Sequence, residues 1–318
     1  MYRPLLCISV GVTLLGLTLG GCAPAPTPPP TPSPIPPTFT PSPVPPTLTP
    51  EPTSTATASP TPTALPGLLV LPVDTLDNRI PWLPMDKTAR PGVYFFYFNL
   101  DKPPFNSVLV RQAFAAAIDR EALVEIAIKY KATNPQPATS LTPPETLGRD
   151  LYGEVGIPFD PTRAKELLTQ AGYTETSKFP PVNLVINLAG DPAPGFHVKI
   201  TEAMVKMWRE TLGVEVTVQV LSWDAYRERV RTNPPDIGRL GWAADVNDPD
   251  NFLREIFKTG SQYNYGRFSN TDFDRLVDRA AERKDPAERQ ALYIEAERIL
   301  CETEAALIPI YHSTYDIP

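Results

Sequence analysis

The chain has 318 residues, 41 of them proline and 3 cysteine, with 29 basic against 36 acidic side chains and a net charge of −7. No basic stripe accompanies this mildly acidic balance, which argues against a nucleic-acid partner and at most favours cationic ligands. Its two histidines, His197 and His312, stand in no metal-ligand spacing and beside no nucleophile motif, so no catalytic residue, metal or cofactor is implied.

Residues 1–21 read as a secretory signal. Arg3 supplies a positive start, and Leu5 to Leu19 is an apolar run too short for a comfortable transmembrane helix. The run ends at Leu19-Gly20-Gly21-Cys22, the pattern of a bacterial lipobox, in which Cys22 becomes the lipidated first residue of the mature protein. Such a chain is anchored to the extracytoplasmic side of a membrane without spanning it. Ordinary cleavage with Cys22 as a spare thiol is the alternative. Residues 22–66 form a linker: 18 prolines in the 44 positions from 23 to 66, mixed with Thr, Ser and Ala, leave too little apolar bulk for a core. In polyproline geometry it spans on the order of 100 Å. Cys7 leaves with the signal and Cys22 carries lipid, so Cys301 is expected alone and packed.

Residues 67–91 are transitional and carry no assignment, and residues 92–318 suffice for one domain core. Val93 to Asn99 reads as an aromatic strand. Ser107 to Tyr130 reads as one helix, with Val110, Phe114, Ala117 and Ile118 at helical spacing. Asp160-Pro161 starts a helix that closes at Gly172. Val182 to Leu188 is a strand and Val198 to Thr211 a helix, with Ile200, Met204, Met207 and Trp208 on one face. Val214 to Leu221 is a strand, Trp223 to Arg231 a helix capped by Ser222, and Asp236 to Trp242 a third strand. This β-α-β-α-β run builds parallel sheet. Helices at about 249–258, 271–283 and 286–303 and a last strand, Ala306 to Tyr311, complete a single α/β lobe.

The third strand runs into Gly241-Trp242-Ala243-Ala244-Asp245-Val246-Asn247-Asp248-Pro249-Asp250. This turn sets a carboxylate beside an indole at the carboxyl edge of the sheet, where α/β proteins bind ligands, and it suits a solute bearing a positive amine. Its acids do not suit calcium, since Pro249 and Asp250 stand where an oxygen ligand and a glycine are needed. Asp248, before Pro249, is expected to cap the helix that follows.

The segment resembles the GW-x-AD-x-x-DP loop of the peptide- and nickel-type extracellular solute-binding proteins, family 5, which feed ABC importers. Phe98-Asn99-Leu100, Pro103-Pro104-Phe105, Val110-Arg111-Gln112-Ala113, Ala117-Ile118-Asp119-Arg120, Ala171-Gly172-Tyr173, Leu212-Gly213-Val214, Tyr293 and Ile308-Pro309-Ile310 are similar too, so the resemblance covers about residues 92–312. It implies one lobe of a class II periplasmic-binding-protein-like fold. It also implies a permease as partner and a peptide or similar small solute as ligand. By resemblance Asp245 grips the ligand's α-amino group, with a loop-bracing role as the alternative. Trp242 either walls a side-chain pocket or belongs to the core. Arg239 lies three residues earlier, on the opposite face of the strand, and either meets a ligand carboxylate or makes a surface ion pair. Tyr263, Asn264 and Tyr265 are expected in a polar-aromatic strand that either offers backbone hydrogen bonds to an extended peptide or serves structural packing. Arg111 and Asp119 are expected to fix their helix.

Relatives of this kind close two lobes on the ligand, and here only the second is recognisable. Three readings follow: a lobe that binds peptide-like solutes, weakly or with another chain supplying the opposite wall; a remnant lobe serving as a surface interaction or structural module; or a truncated or rearranged gene product.

Overall fold

The run Val93 to Phe98 puts bulky side chains on both faces of one strand, because successive strand residues point to opposite sides. In the structure, a computed structural model describing residues 68–69, 89–174 and 179–316, that strand is the spine of the domain. Signal segment, Cys22 and proline-rich linker lie outside the described residues, which all fall within one compact unit, Thr61–Pro318.

In chain order the strands are β1 (Leu68–Leu69), β2 (Ala89–Phe98), β3 (Gln136–Pro137), β4 (Val182–Asn187), β5 (Val216–Leu221), β6 (Ile237–Ala243) and β7 (Leu307–Asp316). The helices are α1 (Val108–Ala116), α2 (Arg120–Lys129), α3 (Pro144–Leu147), α4 (Pro161–Gln170), α5 (Phe196–Leu212), α6 (Trp223–Thr232), α7 (Leu253–Phe257), α8 (Thr271–Glu282) and α9 (Pro286–Glu297). The strands form one sheet in the order β1-β5-β4-β6-β2-β7-β3. β4, β5 and β6 are mutually parallel where they pair, as the repeating pattern predicts, whereas β2 is antiparallel to both β6 and β7. The sheet is therefore mixed.

One face of β2, with Tyr94, Phe96 and Phe98, packs under α1, α2, α4 and α5, and the other, with Val93, Phe95 and Tyr97, packs under α6 to α9. Tyr97 approaches β6 so closely that a Cβ on Gly238 would fall 2.2 Å from its ring. The predicted caps act as expected: Asp160 accepts from the Arg163 N–H before Pro161, and Ser222 accepts from the Ala225 N–H. Gly172, at φ +92°, follows the last turn of α4.

Four expectations change. The helix expected over 107–130 is two helices, because the Asp119 carboxylate accepts from the Ala122 N–H and starts a new one. The helix expected over 249–258 is a 3₁₀ turn, Pro249–Asn251, followed by the short α7. The one over 286–303 passes from α9 into a π-helical turn, Arg298–Thr303. The last strand runs on to Asp316 because β2 itself begins at Ala89, inside the segment left unassigned, and pairs with it throughout.

Candidate functional site

The carboxyl ends of β4, β5 and β6 lie on one edge of the sheet, and the two middle exits diverge. β4 leads into loop 188–195 and on to α5, which packs on the face of Tyr94. Its neighbour β6 leads into loop 244–251 and on to α7, which packs on the face of Phe95. Two adjacent strands whose exits go to opposite faces leave a crevice between them, the usual ligand position in an open α/β sheet.

Loop 244–251 is held from within by Asn251. Its Oδ1 accepts from the Trp242 Nε1–H at 3.1 Å and from the Asp245 backbone N–H at 3.0 Å, while its Nδ2 donates to Glu255 Oε2. Asp248 accepts from the Asp250 N–H and binds Arg289 through both oxygens at 2.6 and 2.8 Å, so it caps the turn as expected. The Asp245 carboxylate braces nothing in its own loop. Its side chain is 69% exposed, with Arg90 Nη1 3.5 Å from Oδ1. Trp242 and Tyr263, both half-buried, meet edge-to-face at 4.9 Å and form an aromatic corner on the same strand end.

Loop 188–195 uses its acid differently. Asp191 accepts from the His197 N–H at 2.9 Å and from the Gly195 N–H at 3.1 Å, so its charge is spent on the start of α5. Burial holds its carboxyl above the usual range. Burial likewise pushes the His197 imidazole well below its ordinary value, aided by the Arg239 charge, so the ring is neutral. Its Nε2–H then donates to the Ala189 carbonyl at 3.1 Å and its Nδ1 accepts from the Tyr94 hydroxyl at 3.2 Å. With the ring neutral, the 3.3 Å approach of Nε2 to Asp191 is no ion pair.

Arg239 lies on the opposite face of β6 from Trp242, as its spacing requires, and is only 5% exposed. Its guanidinium sits 4.6 Å over the Tyr94 ring and donates to Asn187 Oδ1 and the Ala189 carbonyl. Arg239 Nε and Asn187 Nδ2 are buried donors with no hydrogen-bond partner. Residues 57–264 match the family described as bacterial extracellular solute-binding proteins, family 5, middle. The chain belongs to that family.

Two curated proteins of Escherichia coli put this family 5 chain in context. The probable deoxycholate-binding periplasmic protein YgiS is 34% identical over 222 residues, and the periplasmic oligopeptide-binding protein OppA is 32% identical over 223. Each match covers 69% of this chain and 39% of the relative. The solved structure of the Escherichia coli murein tripeptide binding protein MppA is similar at a TM-score of 0.63 and 30% identity, covering 71% of this chain and 43% of that one. The chain thus spans about two fifths of the length of the relatives it matches. The family is one of binding proteins and not of enzymes.

Within this family 5 lobe, the strand expected over 263–265 is a turn. Asn264 is buried, and its amide donates to the Phe257 and Phe268 carbonyls while its oxygen accepts from the Phe268 N–H. A side chain so placed shapes its own turn, and no extended backbone is presented there for a peptide to pair with. Cys301 is packed as expected, 3.4 Å from the buried Glu297 carboxylate, and Arg111 is spent on the Phe105 and Glu304 carbonyls. Burial lowers His312 to about 4, its Nε2–H serving the Ser140 carbonyl. Among the described residues no cluster of His, Cys, Asp and Glu suits a metal.

Sequence reasoning missed Arg90, Asn187, Asp191 and Asn251. Arg90 belonged to the unassigned segment, and Asn187 ends a strand and Asp191 follows it with no motif around them. Asn251 did carry a signal. A polar residue six positions after Asp245, just past Asp248-Pro249, falls where a short turn folds back on the strand end.

Proposed function

We propose that this lobe binds a peptide or similar amine-bearing small solute at the crevice between the ends of β4 and β6, with Asp245 as the seat of the ligand's amine. The observation that carries the reading is the division of labour in loop 244–251. Asn251 holds the backbone, and the Asp245 carboxylate is left outward and mostly exposed. A carboxylate that its own loop does not need is free to make charge-assisted hydrogen bonds to an ammonium group. Trp242 and Tyr263 supply the apolar corner against which the first side chain packs. Arg239, with its unpartnered Nε beside the unpartnered Asn187 amide, is the candidate partner for a ligand carboxylate once loop 188–191 moves. Asn264 enters this reading only as a support for Tyr263.

One edge of one lobe offers one wall, and a small-molecule site buries most of its ligand. A further lobe, from a longer form of this chain or from another chain, supplies the opposite wall. The peptide-binding names of OppA and MppA support this solute class, whereas YgiS is named for deoxycholate, which has no amine. On this proposal the protein is the extracytoplasmic solute-binding component of an ABC-type importer. Lipid on Cys22 anchors it to the membrane, residues 23–66 tether it, and a permease receives the solute.

Calorimetry on the full chain with tri-alanine, N-acetyl-tri-alanine and deoxycholate tests the seat. Saturable binding is expected for the free amine alone and is expected to vanish in Asp245→Asn. Equal binding of the acetylated peptide, or by the variant, removes Asp245 from the site.

A further inference from the structure

Asp245 is not a bare carboxylate. β2 runs antiparallel beside β6, with Gly92 opposite Ala243 and the Pro91 carbonyl accepting from the Ala244 N–H, which carries Arg90 past the strand end and next to Asp245. Arg90 Nη1 lies 3.5 Å from Asp245 Oδ1 and 3.5 Å from the Ala244 carbonyl oxygen. The pairing is one-sided and loose. Arg90 reaches a single carboxylate oxygen, at a distance longer than a charge-assisted hydrogen bond. The Asp245 carboxylate is not needed to hold the loop, because Asn251 already satisfies Trp242 and the Asp245 N–H, and Arg90's one contact with the loop backbone is the long one to the Ala244 carbonyl. The guanidinium therefore competes with a ligand's ammonium for one oxygen of Asp245, Oδ1.

We propose that Arg90 is an internal counter-ion of the site: it holds the Asp245 carboxylate while the site is empty and yields it to the ligand's amine, so Arg90 determines which amines bind. The proposal rests on Asp245 being the amine's seat. Two physical points support it. An ion pair with one partner this exposed is weak, so displacing it lowers affinity by only about 1.5- to 5-fold. The displaced guanidinium also keeps a hydrogen-bond acceptor within reach, the Ala244 carbonyl. An α-ammonium group, with three donors on one charge, can replace the single contact of Arg90 by stronger ones. A solute whose nitrogen is acylated cannot. Arg90 thus raises the threshold for weak cations and leaves the site open to amines that bring further contacts along the crevice.

The test is an amide-resolved NMR titration of the full chain with tri-alanine, read at Gly241, Asp245 and Asn251. The wild type is compared with Arg90→Gln, Arg90→Lys and Asp245→Asn. Arg90→Gln is expected to bind about 1.5- to 5-fold more tightly than the wild type. Arg90→Lys, which keeps a cation, is expected to fall between them, and Asp245→Asn to lose binding with or without Arg90. Equal or weaker binding by Arg90→Gln, with Asp245→Asn still inactive, overturns the counter-ion while leaving the amine seat standing. A melting loss in Arg90→Gln at unchanged affinity makes the pair structural and overturns it too. Tri-alanine shifts that survive in Asp245→Asn, or no saturable shift in any protein, remove the seat itself and the counter-ion with it.

Discussion

Loops 188–195 and 244–251 leave neighbouring strands at the same edge of the sheet, and each carries one aspartate near its start. Asp191 is consumed: both its oxygens accept backbone N–H groups at the head of α5, and the side chain is 9% exposed. Asp245 is spared: an asparagine six residues on accepts its N–H, and its carboxylate stands outward. The difference teaches that residue type and sheet position do not make a binding carboxylate. What decides is whether another side chain has already satisfied the backbone of the loop.

The sharpest way to break this contrast is to remove the residue that spares Asp245. Asn251→Ala strips the acceptor from two buried or half-buried donors, Trp242 Nε1 and the Asp245 N–H. The expected cost is about 3 kcal/mol in urea unfolding. Amine binding should fall with it even though Asp245 remains.

Acid should stress the sheet edge through its buried imidazoles, next in size. Burial holds His312 at about 4 and His197 well below 6.5, so both stay neutral in the fold where the unfolded chain takes up protons. Folded values below the unfolded ones mean stability that is full above pH 6.5 and is lost as the pH falls toward 4. Between about pH 7.5 and about pH 5, His312 alone should cost about 2 kcal/mol, read as a fall in urea midpoint that is smaller in His312→Asn. Asp191, held above its ordinary range by burial, acts in the opposite direction. An unchanged midpoint across that interval would contradict the neutral imidazoles.

The smallest effect is also the most direct reading of the contrast. Asp191→Ala should destabilise by about 1 to 2 kcal/mol, since two N–H groups at the start of α5 lose their acceptor. Asp245→Ala should stay within about 0.5 kcal/mol of the wild type, as exposed substitutions do. Equal losses in the two variants would mean that Asp245 is a loop brace after all.

Much of this was readable along the chain. Period-2 and helical spacing placed β4, α5, β5, α6 and β6 and their parallel pairing, and Asp-Pro and Ser caps placed the starts of α4 and α6. Those signals are local, each depending on residues within one or two turns. The misses are of two kinds. Asp119 broke a helix that apolar spacing alone carries through, because one side-chain cap outweighs continuing periodicity. Tyr263 to Tyr265 alternates in a way that suggests a strand, but it joins no ladder of the described sheet, although Gly266 just beyond it accepts from the Leu100 N–H past the end of β2. Asn264 instead closes the turn on Phe257 and Phe268.

By itself, then, the sequence determined the class of the domain, the run of strands into the Asp245 loop, the family resemblance and the opposite facing of Arg239 and Trp242. All of these follow from the fixed geometry of a strand or from a contiguous motif. Only the tertiary structure decided that Arg90 reaches Asp245, that Asn251 frees it, that Asp191 is consumed, and that Arg239 lies buried over Tyr94 with Nε unpaired. Arg90 and Asp245 lie far apart along the chain and come together only where β2 and β6 pair antiparallel. The use of a carboxylate depends on which donors and acceptors the fold has already matched.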